Sequence, residues 1–220
     1  MATGRAEATG NLAGVQVAVL AKAPIPGLAK TRLIPALGAE GAARLQRHLT
    51  RQAVRTAQAA RLGPVTLWCT PDPGHRFFRA LNQTSGIPCL TQCSGDLGER
   101  MHMAFRMHRA QGPLLLIGTD CPPLTPAHLR KAARALCTGL DAVFHPAEDG
   151  GYAMVGLRAP QATLFTGMRW STDAVMADTR ARARDAGLTW CELETLWDLD
   201  EPADLARLSP AQSVALGLAR

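Results

Sequence analysis

Short apolar runs alternate along the chain with longer stretches in which apolar residues recur at helical spacing. The apolar runs predict strands over residues 15–21, 65–70, 87–91, 113–118, 141–145, 152–157 and 188–196. The stretches with helical periodicity predict helices over residues 39–61, 97–110, 126–138, 172–186 and 201–208. The clearest strand, 113–118, is apolar at every position from Leu114 to Ile117, which is typical of a strand covered on both faces.

Strands that alternate with helices indicate βαβ units, and hence an α/β fold built on a mainly parallel sheet. The exception is the pair of strands between residues 141 and 157, which turns at Asp149-Gly150-Gly151 and makes the predicted sheet mixed. No internal repeat or linker interrupts the pattern, so we predict one domain over residues 14–220. Residues 1–13 are small and polar, and we expect them to form a disordered tail.

The composition narrows the classes of partner. The 220 residues carry a formal net charge of +6, which suits an anionic partner. The arginines are spread along predicted helices and there is only one tyrosine, so we expect a solvated basic surface and no nucleic-acid partner. The six cysteines form no Cys-x-x-Cys pair, which favours reduced thiols and a cytoplasmic protein. No apolar run reaches membrane-spanning length, and we expect no membrane partner.

A basic loop, residues 21–33, follows the first predicted strand. Lys22, Lys30 and Arg32 lie within eleven residues of one another, and Gly27 and two prolines shape the chain between them. Such a loop can surround a polyphosphate with cations and backbone N–H groups. A Walker A loop is disfavoured because glycine is missing at both positions where that motif requires it. The alternative is an ordinary basic surface loop.

An aspartate, Asp120, follows the clearest strand, where a carboxylate is costly to bury without a role. Its oxygens suit Mg²⁺ or Mn²⁺, which also bridge to substrate phosphates. The alternative is a helix N-cap, but Thr125, next to Pro126, is better placed to cap the helix that begins there. The sequence therefore favours Asp120 as a metal ligand.

Two further aspartates, Asp198 and Asp200, precede the last predicted helix. They point the same way if the segment is extended. Asp200 is equally suited to capping the helix that opens at Glu201-Pro202 and to binding a metal.

The turn after residue 147 contains Glu148, Asp149, Gly150 and Gly151. Taken alone, it is a hairpin turn. Beside a nucleotide site, the glycines would let the backbone approach a sugar, and the carboxylates could accept its hydroxyl groups. Gly95, where the helix at residue 97 begins, similarly allows close backbone approach to a ligand, although a plain loop-to-helix junction explains it as well.

Six sequence segments occur along the chain in the following order: AKAPIPGLAKTRL, GDLGERM, LLLIGTDCPPL, HPAEDGGYAMVGL, WSTDAV and LWDLDEPADL. Over residues 15–208 the chain resembles a bacterial family of GT-A type glycosyltransferases with members linked to arsenosugar biosynthesis. More distantly it is similar to guanylyltransferases of the molybdenum-cofactor type. The resemblance implies a nucleotide-diphospho-sugar transferase fold, a single-domain, Rossmann-like α/β/α sandwich.

The resemblance also implies roles for individual residues. Asp120 and Asp200 would be the ligands of Mg²⁺ or Mn²⁺, although the usual Asp-x-Asp is reduced here to a single acid after the central strand. Lys30, Asp149 and Glu148 would be catalytic. The nucleotide and its phosphates would contact Ala21, Lys22, Gly27, Lys30, Arg32, Gly95, Arg100 and Thr119. The sugar or acceptor would contact Gly150, Gly151, Tyr152, Trp170, Ser171 and Thr172.

The function expected from this resemblance is metal-dependent transfer of a glycosyl group from a nucleotide-diphosphate sugar to a small-molecule acceptor. The alternatives are nucleotidyl transfer from a nucleoside triphosphate, with release of pyrophosphate, and nucleotide binding without catalysis. The base, the sugar, the acceptor and the oligomeric state stay open. Asp120 and Asp200 should emerge at one edge of the sheet and repel each other, so we expect the metal to arrive with the nucleotide.

Overall fold

A seven-stranded sheet forms the centre of the computed structural model, which describes residues 12–218. Its strand order is β3-β2-β1-β4-β6-β5-β7. The strands are β1 (Gln16–Lys22), β2 (Val65–Thr70), β3 (Cys89–Thr91), β4 (Leu114–Ile117), β5 (Ala142–Pro146), β6 (Tyr152–Leu157) and β7 (Trp190–Glu192).

Six α-helices connect these strands or follow them within the described part of the chain. They are α1 (Ile34–Ala59), α2 (Arg76–Ser85), α3 (Leu97–His108), α4 (Pro126–Cys137), α5 (Val175–Asp185) and α6 (Pro210–Ala215). Gly38, with φ 69°, interrupts α1, so its regular part begins at the residue where the sequence predicts it. None of the helices within residues 12–218 combines the length and the apolar character needed to cross a membrane.

The sheet is mixed, as the sequence predicts. β1 pairs in parallel with β2 and β4, and β2 with β3, whereas β6 runs antiparallel to both β4 and β5. β7 returns parallel to β5. The carboxyl ends of β1, β2, β4 and β5 therefore meet at the edge of the sheet where β6 begins.

Both faces of the sheet are covered, and for this reason the sequence of β4 is apolar at every position. Leu115 and Ile117 pack into the core shared with α1, α2 and α4. Leu114 and Leu116 pack into the opposite core, which contains residues of α3 and α5. The four side chains of β4 are at most 4% exposed, so a polar residue at any of these positions would be buried.

A smaller apolar cluster fixes two loops against α1. Leu33, at the end of the basic loop, and Leu199 are fully buried against Leu45 and Leu49 of α1. This packing anchors residues 30 and 200 near each other, although they are far apart in sequence.

The structure departs from the sequence predictions in several elements. Helix α2, unassigned in the sequence, buries only Phe77, Phe78 and Leu81, which is a weak periodic signal. The predicted helix 201–208 is a 3-10 helix, Pro202–Arg207, and α6 follows it. β7 is shorter than the predicted strand 188–196: three of its residues pair with β5, and beyond them only an isolated bridge joins Leu196 to Ala147.

The tail predicted for residues 1–13 lies outside the described residues except at its end. Leu12 and Ala13 belong to a short 3-10 helix, Leu12–Gly14.

Candidate active site

A cleft of about 780 Å³ opens over the carboxyl ends of β1, β2 and β4 and the start of β6. Twelve of the residues to which the resemblance assigns site roles line it: Ala21, Lys22, Lys30, Arg32, Arg100, Thr119, Asp120, Asp149, Tyr152, Ser171, Thr172 and Asp200. The structure therefore gathers segments from six separate parts of the chain at one edge of the sheet, where open α/β sheets bind ligands.

Lys30 lies at the centre of this cleft. Its Nζ is 2.6 Å from Asp120 Oδ1 and 2.7 Å from Asp200 Oδ1, and it donates a hydrogen bond of 2.7 Å to the carbonyl oxygen of Leu199. The Lys30 side chain is only 5% exposed. Burial by itself lowers the pKa of Lys30, but the two carboxylates outweigh it, and the pKa lies above its ordinary value.

The expectation that Asp120 and Asp200 emerge together is confirmed, but their charges are not left to repel each other. The Lys30 ammonium lies between them. The sequence does not show which cation faces which carboxylate, because Lys30 is 90 residues from Asp120 and 170 residues from Asp200 along the chain.

Asp198 adds a further carboxylate to the site. Burial, together with the charges of Asp120, Asp149 and Asp200, raises its pKa to about 7. We call Asp120, Asp149, Asp198 and Asp200 the aspartate cluster. Asp198 was not among the predicted metal ligands, and the signal that could have found it is its two-residue spacing from Asp200.

Hydrogen bonds hold Asp120 in place. The amide of Gln46, on α1, donates to the Thr119 hydroxyl at 3.0 Å, and that hydroxyl donates to Asp120 Oδ1 at 3.3 Å. The backbone N–H of Leu199 donates to the Asp120 carbonyl at 2.7 Å, which joins the end of β4 directly to the segment that carries Asp200. Thr119, predicted to contact phosphate, is 6% exposed and serves to orient Asp120.

The capping alternatives are resolved by the structure. Thr125 is the N-cap of α4, with its hydroxyl accepting from the N–H of His128. Glu201 is the N-cap of the 3-10 helix, and Asp204 accepts from the backbone N–H groups of Asp200 and Glu201. Neither Asp120 nor Asp200 is therefore needed as a cap.

The turn between β5 and β6 places only one of its two acids in the cleft. Asp149 lines it, and its Oδ1 accepts from the N–H of Gly151 at 2.9 Å. Glu148 instead forms a bidentate ion pair with Arg207, at 2.7 and 2.8 Å, and does not line the cleft. Of the two predicted catalytic acids of this turn, the structure therefore places Asp149 in the cleft and Glu148 outside its lining.

Gly150 has a different role from the predicted approach to a sugar. Its φ is 87°, and a Cβ atom there would lie 2.2 Å from the carbonyl oxygen of Asp173. The N–H of Met176 also donates to the Gly150 carbonyl at 2.7 Å. Glycine is thus required so that the segment before α5 can pack against the turn, which brings Asp173 to the cleft.

Four more predicted residues lie beside the cleft and do not line it: Gly27, Gly95, Gly151 and Trp170. Gly95 accepts a hydrogen bond from Arg100 Nε at 3.1 Å. A Cβ atom at Gly98 would lie 2.8 Å from the Trp170 ring, so the start of α3 packs closely on that ring. Trp170 therefore supports the neighbouring cleft residues and makes no direct contribution to the lining.

Two cleft residues other than glycine have left-handed backbone conformations. The φ angles are 48° at Lys30 and 62° at Ser171. Such conformations cost energy and concentrate at functional sites, which supports the assignment of this cleft as the active site.

Several solved structures share this fold. A protein from Desulfovibrio desulfuricans G20, assigned as a nucleotide-diphospho-sugar transferase, has a TM-score of 0.81 and 25% identity over 94% of either chain. CMP:2-keto-3-deoxy-manno-octonic acid synthetase, complexed with CTP, has a TM-score of 0.57 and 13% identity, covering 93% of this chain and 99% of that chain. The inositol-1-phosphate CTP transferase from T. maritima has a TM-score of 0.57 and 10% identity, over 95% and 96%. The chain thus has the nucleotide-diphospho-sugar transferase fold predicted from its sequence.

The family assignment is narrower than the fold. Residues 53–172, more than half of the chain, match the family described as "Uncharacterized protein conserved in bacteria (DUF2064)", and the chain belongs to that family. No curated protein matches the sequence significantly. The link to arsenosugar biosynthesis stays a prediction.

Proposed function

We propose that the protein is a transferase that binds a nucleotide-diphosphate sugar in the cleft and transfers its glycosyl group to a small-molecule acceptor with the help of Mg²⁺ or Mn²⁺. The observation that carries this proposal is the aspartate cluster at the carboxyl ends of the strands, directly beside the cations of the basic loop. The similarity of the fold to that of the D. desulfuricans protein supports the class of substrate.

The side chains present fit a hard divalent cation. Mg²⁺ and Mn²⁺ prefer oxygen ligands, and Asp120 and Asp200 each place a carboxylate oxygen within 2.7 Å of the same nitrogen atom, Lys30 Nζ. Within residues 12–218 no group of three or more acidic, histidine or cysteine side chains is arranged to hold a metal, so Asp120 and Asp200 would hold the ion together with oxygens of the substrate phosphates. When bound, the ion would neutralise charge on the leaving diphosphate. The ion would also reduce the repulsion between an incoming diphosphate and the carboxylates that line the cleft.

Cations around the cleft would bind the phosphates. Arg32 is 66% exposed and makes only a 3.9 Å contact with Glu201, so it is free to turn toward a ligand. Lys22 and Arg100 also line the cleft. Arginine can bind phosphate oxygens through two parallel hydrogen bonds.

The part of the cleft lined by residues 149–173 is suited to an acceptor that carries hydroxyl groups. Its lining between residues 149 and 173 includes Asp149, Ser171, Thr172 and Asp173, and no lysine or arginine from that range. Asp149 is exposed and has one carboxylate oxygen bound by Gly151, so the other oxygen can accept a proton or orient a hydroxyl group.

This charge pattern favours glycosyl transfer over nucleotidyl transfer. The CTP transferase with the same fold is named for a phosphorylated acceptor, inositol-1-phosphate. A phosphorylated acceptor here would approach Asp149 and Asp173 and be repelled. Nucleotidyl transfer stays the alternative activity, and nucleotide binding without catalysis is the alternative from another class.

Thermal melting and product analysis test the proposal. Wild-type protein is melted with nucleotide-diphosphate sugars and with nucleoside triphosphates, with and without Mn²⁺. We expect stabilisation by a diphosphate sugar that depends on Mn²⁺, and release of the nucleoside diphosphate once an acceptor is found. Pyrophosphate release from a triphosphate would select nucleotidyl transfer, and tight binding without turnover across broad panels would favour a silent protein.

Two variants separate the site from the rest of the surface. Asp120→Asn should abolish the Mn²⁺-dependent part of the stabilisation, and Arg32→Ala should weaken nucleotide binding by about 1.5–3 kcal/mol, the value of a charge-assisted contact. The matched controls are Asp185→Asn and Arg184→Ala, both exposed on α5, which should leave binding unchanged. A full Mn²⁺ effect in Asp120→Asn would remove Asp120 from the metal site.

A further inference from the structure

The ammonium group of Lys30 is already in contact with three oxygen acceptors. An ammonium has three N–H donors, and Lys30 has three acceptors at 2.6–2.7 Å: Asp120 Oδ1, Asp200 Oδ1 and the Leu199 carbonyl. In this arrangement Lys30 cannot also bind a phosphate oxygen. Its function in the nucleotide-free protein must therefore differ from the phosphate contact predicted from the basic loop.

We infer that Lys30 is an exchangeable counter-ion. In the free protein its ammonium occupies the position between Asp120 and Asp200, and it gives up that position to a divalent cation when a nucleotide diphosphate offers it phosphate oxygens. The inference rests on the metal site of the proposed function, and it adds a binding order: a divalent cation alone binds poorly, and nucleotide and cation bind well together.

The geometry carries the first half of the inference. One nitrogen atom contacts a carboxylate oxygen of Asp120 and of Asp200 at the same time. A metal ion bound by these same two oxygens, Asp120 Oδ1 and Asp200 Oδ1, would have to lie in the space that the ammonium occupies, and a second positive charge beside the ammonium would be repelled. Metal binding through these two oxygens therefore requires Lys30 to leave.

The loop is built so that the side chain can leave while the backbone stays. Ala29 and Leu33, on either side of Lys30, are both fully buried. The lysine stem, in contrast, is a flexible chain of four carbons, and its cation can be turned between neighbouring anionic partners. Asp120 and Asp200 are 44% and 42% exposed, so the side of the pair facing the cleft is open to an incoming ion.

After the exchange every charge has a partner of opposite sign. Before it, one ammonium is shared by two carboxylates. After it, the carboxylates bind the divalent cation, and the ammonium, still within the cleft, binds the diphosphate. Without nucleotide the displaced ammonium would have no anionic partner and would lie beside the new cation, which is why the cation alone should bind weakly.

The direct test is Mn²⁺ binding without nucleotide, followed by the electron paramagnetic resonance signal of free Mn²⁺. Wild type, Lys30→Met and Lys131→Met are compared. Lys131 is the matched control, since it also pairs with a carboxylate, Glu194, but on the surface. We expect Lys30→Met to bind Mn²⁺ at least ten-fold more tightly than wild type, and Lys131→Met to bind like wild type.

A measurement on wild type alone keeps the inference testable if Lys30→Met does not fold, and Lys30→Gln, with a shorter stem and an uncharged polar end, offers a second variant. Wild type is melted with Mn²⁺ alone, with each of ADP, GDP, CDP and UDP alone, and with both. The exchange predicts little shift with Mn²⁺ alone and a shift with the effective nucleotide and Mn²⁺ that exceeds the sum of the two separate shifts.

The outcomes distinguish this inference from the proposed function. If wild type and Lys30→Met bind Mn²⁺ equally, or if Mn²⁺ alone stabilises wild type as much as Mn²⁺ with nucleotide, the exchange is wrong and the metal site stands. If Mn²⁺ binds only after Lys30 is replaced and never to wild type with nucleotide, Lys30 is a permanent cation and the exchange is again wrong. If Mn²⁺ has no effect on any variant under any condition, both the exchange and the metal-dependent function are overturned.

Discussion

Replacing Lys30 by methionine removes one charge from the site while keeping most of the volume of the side chain. Removing one partner of a buried ion pair costs about 3–5 kcal/mol, because the remaining charge is left without compensation. Here the partners, Asp120 and Asp200, are 44% and 42% exposed, so water can solvate part of what the ammonium leaves. We therefore expect the free energy of unfolding to fall by about 2–3 kcal/mol, below the range for fully buried pairs.

The assay is urea unfolding at pH 8 without metal, followed by circular dichroism, with Lys131→Met as the control. The Lys131–Glu194 pair is about half exposed on both sides, and its loss should cost less than about 1 kcal/mol. In thermal melting, a loss of 2–3 kcal/mol corresponds to roughly 5–10 °C for a domain of this size. Equal effects of the two substitutions, or an unchanged stability of Lys30→Met, would refute the argument that Lys30 stabilises the fold by pairing with Asp120 and Asp200.

Two further predictions follow from other parts of the structure. Gly150→Ala should lower the free energy of unfolding by about 2–4 kcal/mol, since the new Cβ meets the carbonyl of Asp173. The control is Gly139→Ala, which also has a positive φ but open space around it and should cost only about 1–2 kcal/mol. Similar losses for the two variants on urea unfolding would show that the contact with Asp173 relaxes freely. Burial lowers the pKa of the fully buried His145, so below its ordinary pKa of about 6.5 the unfolded chain takes up a proton that the folded chain resists. This contribution to stability is complete above pH 6.5 and is lost as the pH falls below it. His145→Asn should therefore show a smaller decrease in the free energy of unfolding between pH 7.5 and 5 than wild type. An equal decrease in both proteins would exclude His145 as a source of acid lability.

Local patterns were sufficient for most of the sheet and for the position of the site. The strands 65–70 and 152–157 were predicted at their observed bounds, because apolar side chains must alternate or run continuously wherever a strand is covered. Asp120 and the basic loop were found because each follows a strong strand, and the carboxyl ends of parallel strands meet at one edge. These inferences depend on neighbours in sequence, and a sequence contains that information directly.

The partners of individual charges were decided by the tertiary structure. The sequence contains Lys30 and Asp200 as members of two separate polar segments, and only the packing of Leu33 and Leu199 against α1 brings them to 2.7 Å. Glu148 is a second example, because its position in the turn suggests a second acid of the site, whereas in the structure it pairs with Arg207. An ion pair depends on the distance between two side chains in space, which is set by how distant loops converge. Residue type and local spacing therefore identify the candidate site residues, and the tertiary structure determines which of them form pairs.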